Sequence, residues 1–214
     1  MKFHGYFRSS ASYRLRIALA LKGIAHDKAF VHLSRGGGEQ FSDTFRKLNP
    51  QMLIPVVEDD GQVLVQSLAI IEYLDEKWPT PQILPETPAG SARVRALAQV
   101  VACEMHPLNN LRVLNYLTKT LGVAEEAKLA WYQHWVALGF EALESLLAGH
   151  QDTCRFCHGD APTLADICLV PQVFNAKRFN CPLDAYPTVM RIYGECQKLP
   201  AFLDSEPARQ PDAE

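Results

Sequence analysis

No apolar run in the 214-residue chain is long enough to cross a bilayer, which argues against a membrane-spanning helix. A secretory signal is missing as well: the apolar run near Ile17 to Leu21 is short, follows a serine-rich turn and lacks a small-residue cleavage pattern, so a cytoplasmic protein is expected. There is no excess of one charge. With 21 Lys and Arg against 24 Asp and Glu, and with the basic residues dispersed, the chain lacks the basic face that nucleic acid requires. The six cysteines form no disulfide framework and read as reduced thiols. Cys154-Arg155-Phe156-Cys157-His158 has the outline of a haem attachment and of half a zinc site. The first needs export and the second needs another ligand pair, so no metal is expected and the segment reads as a loop with two incidental thiols. Cys103, Cys168 and Cys196 fall in helical patterns and read as small core residues.

The most informative stretch is Tyr6 to Leu19, which reads as a strand end, a hydroxyl-rich turn and the start of an amphipathic helix. Ser9, Ser10 and Ser12 are candidate caps, and a helix start offers free N–H groups to an anion. Lys2, Arg8, Arg14, Arg16 and Lys22 all precede the first acidic residue, Asp27, so the local field is positive. Either the serines cap a helix and nothing more, or they hold an anion there.

Strand-like residues 1–7, a helix over 12–24, a strand over 28–33 and a short helix over 39–47 give a βαβ unit and a helix. Pro55 to Glu58 and Gln62 to Val65, joined across Asp59-Asp60-Gly61, predict an antiparallel hairpin. A helix follows, with Ser67 as its expected N-cap. The order βαβαββα is that of a thioredoxin-like domain. A proline-rich stretch then predicts a linker at 81–90 between an α+β domain, 1–80, and an all-α domain, 91–214. Helices are expected over 92–121, 125–147, 163–178 and 187–199. His106-Pro107 should kink the first, and Thr163-Leu164-Ala165-Asp166 is a capping-box pattern assigned to folding. The polar, proline-bearing end from Ser205 reads as a surface tail.

The chain resembles the cytosolic glutathione transferases, and Ser9-Ser10-Ala11-Ser12-Tyr13-Arg14-Leu15-Arg16-Ile17-Ala18-Leu19 is similar to the signature of their zeta class, the maleylacetoacetate and maleylpyruvate isomerases. Further matches are Leu48-Asn49-Pro50, Gln66 to Leu74, Leu164-Ala165-Asp166, Leu169 to Val173, Ala176 to Phe179 and Arg209-Gln210-Pro211-Asp212. The resemblance implies glutathione as cofactor and a homodimer. It also implies a cis Ile54–Pro55 bond opening a strand edge to the tripeptide, the γ-glutamyl carboxylate at Gln66 and Ser67, and Gln40 and His106 toward the other end of glutathione. His106 and Asn110, four apart, are expected on one helix face turned to a cleft.

The chemistry this implies is cis-to-trans isomerisation of a maleyl keto acid: the glutathione thiolate adds to the alkene, the bond rotates, and elimination returns free glutathione. Ser9 is the leading donor to the thiolate, with Ser10 as its neighbour, and the small dicarboxylate substrate calls for Arg8, Arg112 and Arg178. Ala11 stands where zeta-class members often carry cysteine, so no protein thiol can attack from that position. Ala11 together with Arg112 looks more like the maleylpyruvate branch of gentisate breakdown, with maleylacetoacetate in tyrosine breakdown as the alternative. Two other classes stay open: a transferase or dehalogenase of small α-halo acids, marked by halide release, and a glutathione-binding protein without turnover.

Overall fold

The first strand, β1 (Lys2–Gly5), lies inside a four-stranded sheet of order β2-β1-β3-β4. In this computed structural model, which describes residues 1–214, the chain separates into two units, Met1–Gln82 with Leu199–Glu214, and Ile83–Lys198. The first contains β1, α1 (Ser10–Leu21), β2 (Asp27–Phe30), 3₁₀ turns at Arg35–Gly37 and Glu39–Phe41, α2 (Asp43–Leu48), β3 (Val56–Asp59), β4 (Gln62–Val65) and α3 (Ser67–Lys77). β1 runs parallel to β2, with Phe3 opposite Lys28, and antiparallel to β3, with Phe3 opposite Val57. Asp60 and Gly61 both take positive φ, 47° and 75°, the conformation that closes a two-residue hairpin between β3 and β4. This is the thioredoxin-like arrangement, with the helix expected over 39–47 divided into a 3₁₀ turn and α2.

Tyr73 and Lys77 of α3 clamp that hairpin: the Tyr73 hydroxyl and Lys77 Nζ donate to Asp59 Oδ2 at 2.8 and 2.6 Å, and Lys77 also donates to Asp60. The Lys77 ammonium bonded to Asp59 holds its carboxyl below the usual carboxylate range. A depressed folded pKa gives stability that is present above the unfolded value and lost as pH falls through the folded one. Lys77→Met is therefore expected to lower the thermal midpoint at neutral pH. Its deficit should shrink as pH drops to about 4 and below; a deficit independent of pH would count against the clamp.

The second unit is helical: α4 (Pro88–Gln99), a π-helical segment (Val100–Met105), α5 (Leu111–Asn115), a second π segment (Tyr116–Thr120), α6 (Glu125–Leu147), α7 (Leu164–Arg178) and α8 (Pro187–Cys196). A short α9 (Pro200–Leu203) returns to the first unit. The single helix expected over 92–121 is thus broken. His106 N–H reaches back to Val101 O at 2.9 Å, and Pro107 supplies no N–H to continue the ladder. Gly139 of α6 leaves space for this segment, because a Cβ there would lie 2.2 Å from Met105 Cγ. No helix is long and apolar enough to cross a membrane.

Three further expectations are corrected. The stretch 81–90 is not a free linker: Ile83 is buried and its carbonyl accepts Leu164 N–H at 3.1 Å, while Thr87 caps α4 with Pro88 in the first turn. Cys103 is exposed, whereas Cys168 and Cys196 are buried. Cys157 is buried too; its N–H donates to Asp166 Oδ1 at 2.9 Å and its carbonyl accepts Arg93 Nη1 at 2.7 Å, so the 154–158 loop is braced. Asp166 also accepts both Thr163 N–H and Oγ1–H at 2.8 Å, completing the capping box.

α1 has no solvent face from Ser10 to Leu19, where every residue is buried, and is exposed only near its end, at Ala20. It lies between α3 and α9, and this explains how two arginines come to be inside. The end of the chain is accordingly not a surface tail. Phe202 and Ser205 are buried, Tyr13 Oη donates to Phe202 O, and Ala213 packs against the cluster of Tyr6, Phe7, Val31, Phe45, Ile54 and Val56. Nothing in the local sequence from Ser205 onward reports this packing, because its partners lie almost two hundred positions earlier.

Candidate active site

After Gly5 the chain turns through Tyr6-Phe7-Arg8-Ser9, with Ser9 N–H donating to Tyr6 O at 3.1 Å. Ser9 is the N-cap of α1, and its Oγ accepts Ser12 N–H at 3.2 Å. A hydroxyl that accepts in this way keeps its own proton to donate. Ser9 is half-buried and Ser10 buried, so the two neighbouring serines differ in their access to a ligand. Arg8 is exposed, its guanidinium 4.8 Å from the centre of the Phe7 ring.

The start of α3 lies in the same unit. Here the structure places Gln66, not Ser67, at the N-cap, with φ of 71°, and Gln66 Nε2 donates to Gln51 Oε1 at 2.8 Å. Ser67 is the first helical residue; its buried hydroxyl accepts Arg14 Nη1 at 3.4 Å, which links the starts of α1 and α3. The Ile54–Pro55 peptide is cis, and Ile54 precedes the ladder, which begins at Val56. Asn49 holds the approach by donating to Leu53 O at 2.7 Å.

Gln40 is buried in the 3₁₀ turn between β2 and α2. Its Nε2 donates to Leu33 O at 3.3 Å, while Oε1 is buried and accepts nothing from the protein. Gly38, at φ of 115°, makes this possible: a Cβ there would lie within 3 Å of the Gln40 amide. The orphaned acceptor of Gln40 suits a ligand N–H, and the capped hydroxyl of Ser9 and the first turn of α3 each suit an anion.

In the helical unit, His106 follows the first π segment, but residues 107–110 are not helical, so the one-face argument for His106 and Asn110 fails. Asn110 instead caps α5, its Oδ1 accepting Arg112 N–H at 3.1 Å. The neighbouring Asn109 donates to Tyr132 O at 3.1 Å and ties this turn to α6. Arg112 is exposed on α5. Arg178 is exposed at the end of α7, 5.1 Å from the centre of the Phe179 ring, whose own ring stacks on Tyr132 at 3.9 Å. Ion pairs engage Arg35, Arg155 and Arg209, but none of Arg8, Arg112 and Arg178.

The sequence assigns Arg16 only to a positive local field and Asp212 only to a family match. In the structure Asp212 Oδ2 accepts Phe7 N–H at 2.9 Å, and Arg16 donates to Tyr6 O and Phe7 O at 3.4 and 3.0 Å. Burial pushes the Arg16 guanidinium down to about 10, partly offset by the charges of Tyr13 and Asp212. The one sequence signal for Asp212 was its place in the Arg209-Gln210-Pro211-Asp212 match.

Residues 8–77 match the glutathione S-transferase N-terminal domain family. A probable maleylacetoacetate isomerase of Vibrio cholerae serotype O1 is 50% identical over 98% of this chain and 97% of its own. Among solved structures, the holo form of a maleyl pyruvate isomerase, a bacterial zeta-class glutathione transferase, is 48% identical with a TM-score of 0.97 and full coverage of both chains. A maleylacetoacetate isomerase from Methylobacterium extorquens AM1, with bound malonate and glutathione, is 42% identical with a TM-score of 0.96, again over 100% of each chain. With full-length likeness at this identity, and a cis proline, a serine-capped α1 and the thioredoxin-like sheet in place, the chain belongs to the zeta-class glutathione transferase family of maleylacetoacetate and maleylpyruvate isomerases.

Proposed function

We propose that this protein is a glutathione-dependent cis–trans isomerase of a maleyl keto acid, converting maleylpyruvate to fumarylpyruvate in aromatic catabolism, with maleylacetoacetate as the alternative substrate. The observation that carries the reading is the half-buried Ser9 hydroxyl, which caps α1 while keeping its proton for an anion. Glutathione, when bound, supplies a thiolate that adds reversibly to the alkene and lets the former double bond rotate.

The residues of the chain act around that group. Ser9 donates to the sulfur, and the N-terminus of α1 adds a positive dipole end, both favouring thiolate over thiol near neutral pH. One pKa unit needs only about 1.4 kcal/mol, within the range of a charge-assisted hydrogen bond. The first-turn N–H groups of α3 and the Ser67 hydroxyl receive the γ-glutamyl carboxylate, with Gln66 beside them. The backbone at Ile54 and Pro55 receives the tripeptide in extended form. Gln40 Oε1 accepts an N–H of the ligand, which satisfies an otherwise orphaned buried atom. The family resemblance gives His106 and Asn110 to glutathione as well, Asn110 through its amide N–H groups, since its Oδ1 caps α5.

Arg8 binds a carboxylate of the dianionic substrate, and Arg112 and Arg178 are the cations available from the helical unit; the absence of acidic partners leaves all three free to take an anion. Arg8, one residue from Ser9, also stabilises the negative charge that develops on the keto acid. We place the enzyme in the cytoplasm as a homodimer, with the exposed Phe41 and Val63 of the first unit as apolar area for a second copy.

The test combines purified protein, glutathione and each maleyl keto acid and follows formation of the fumaryl isomer. Glutathione-dependent turnover is expected on maleylpyruvate, and no turnover of either acid would end the isomerase reading. Arg112→Ala is expected to lower kcat/KM about tenfold on maleylpyruvate, with a smaller loss on maleylacetoacetate. An equal loss on both would count against the maleylpyruvate assignment.

A further inference from the structure

We infer that Asp212 is a positioning residue for Ser9: its carboxylate fixes the turn that aims the Ser9 hydroxyl. The inference rests on the reading of Ser9 as donor to the glutathione sulfur, and it extends that site to the far end of the chain. Ser9 owes its place to three peptide units, those of Tyr6, Phe7 and Arg8. Two side chains from different parts of the first unit hold the first two of these, one at the Phe7 N–H and the other at the Tyr6 and Phe7 carbonyls. Asp212 Oδ2 accepts the Phe7 N–H at 2.9 Å. Arg16, only 7% exposed, donates through Nη2 to Phe7 O at 3.0 Å and through Nη1 to Tyr6 O at 3.4 Å. The same Tyr6 carbonyl accepts the Ser9 N–H at 3.1 Å, so the clamp reaches the cap residue directly.

The two clamping groups are also opposite charges. Asp212 offsets part of the burial penalty on Arg16, and Arg16 balances a carboxylate close to a site meant for an anion. Without that balance Asp212 would disfavour a neighbouring thiolate. Behind them the segment is secured: Arg16 Nε donates to Ser205 O at 2.9 Å, and Gln210 Nε2 donates to Asp204 O and Glu206 O at 2.9 and 3.0 Å. A carboxylate delivered from the chain end, onto one N–H two residues before the donor, is more than packing requires. Ala213 alone already packs against the apolar cluster that contains Tyr6 and Phe7.

The experiment uses the full chain with glutathione, reading the ultraviolet absorbance of bound thiolate together with kcat and KM. Asp212→Ala is expected to lower the thiolate signal and to cut kcat about tenfold, with KM for glutathione changed much less. Asp212→Asn keeps an acceptor oxygen at the same reach and should recover most of both. Arg209→Ala, which disturbs only the exposed pair with Asp204, should match the wild type. Where Asp212→Ala does not fold by circular dichroism, the near-isosteric Asp212→Leu carries the same comparison. A folded Ala or Leu variant with wild-type thiolate and kcat would overturn the inference, as would an Asn variant as impaired as Ala. Absence of thiolate in the wild type itself would instead overturn the reading of Ser9.

Discussion

Ser9→Ala is expected to reduce kcat/KM for isomerisation about 100-fold while leaving the protein folded. The hydroxyl has two roles that can be separated. As N-cap it accepts Ser12 N–H at 3.2 Å, and losing a serine cap costs about 1 kcal/mol, a shift of a few degrees in thermal midpoint. As donor to a thiolate in a partly dry site it acts like one donor of an oxyanion hole, whose removal costs about 100-fold or more. The pH dependence gives the sign. Without the donor the thiol returns toward its free value of about 8.5, so the acidic limb of the rate profile should move to higher pH and the deficit should narrow in alkali. Ser9→Thr keeps hydroxyl and cap and should retain most activity. Ser10→Ala, at a fully buried hydroxyl, should be the milder of the two alanine variants; the reverse order would move the donor to Ser10.

Asp166→Ala is expected to destabilise the protein by about 3–5 kcal/mol, lowering the thermal midpoint by about 10 °C, with little change in KM at temperatures where the variant is folded. The carboxylate is completely buried and accepts from Cys157 N, Thr163 N and Thr163 Oγ1. Truncation leaves those three donors without a partner inside the protein, and each such loss costs about 1–3 kcal/mol. Burial pushes this carboxyl up and the N–H donors pull it back, so it can be kept inside only while its donors are in place. Asp166→Asn retains one acceptor oxygen and should cost less. A variant with wild-type midpoint but lost turnover would place Asp166 in the chemistry and not in the fold.

The contrast between these two residues reflects the range over which their surroundings are encoded. Thr163 to Asp166 is a four-residue pattern whose hydrogen bonds close on themselves, so the capping box could be read directly. The Asp60-Gly61 hairpin, the serine cap before α1 and the helix start at Gln66-Ser67 were legible for the same reason. The choice of Gln66 over Ser67 as cap was not, because it follows from a positive φ and a bond to Gln51. Likewise the amphipathic reading of α1 assumed a solvent face. The return of α9 covers it, and a window of a dozen residues contains no trace of that cover.

By itself, then, the sequence determined the thioredoxin-like order, the helical second unit, the serine turn and, through its zeta-class resemblance, glutathione chemistry. Only the tertiary structure gave Ser9 and Ser10 different exposures, broke the helix between His106 and Asn110, turned Asn110 into a cap and left Gln40 Oε1 without a donor from the protein. It alone brought Asp212 to the Phe7 N–H. The physical reason is that exposure and hydrogen bonding depend on what packs against a residue, and at Phe7 that partner comes from the opposite end of the chain.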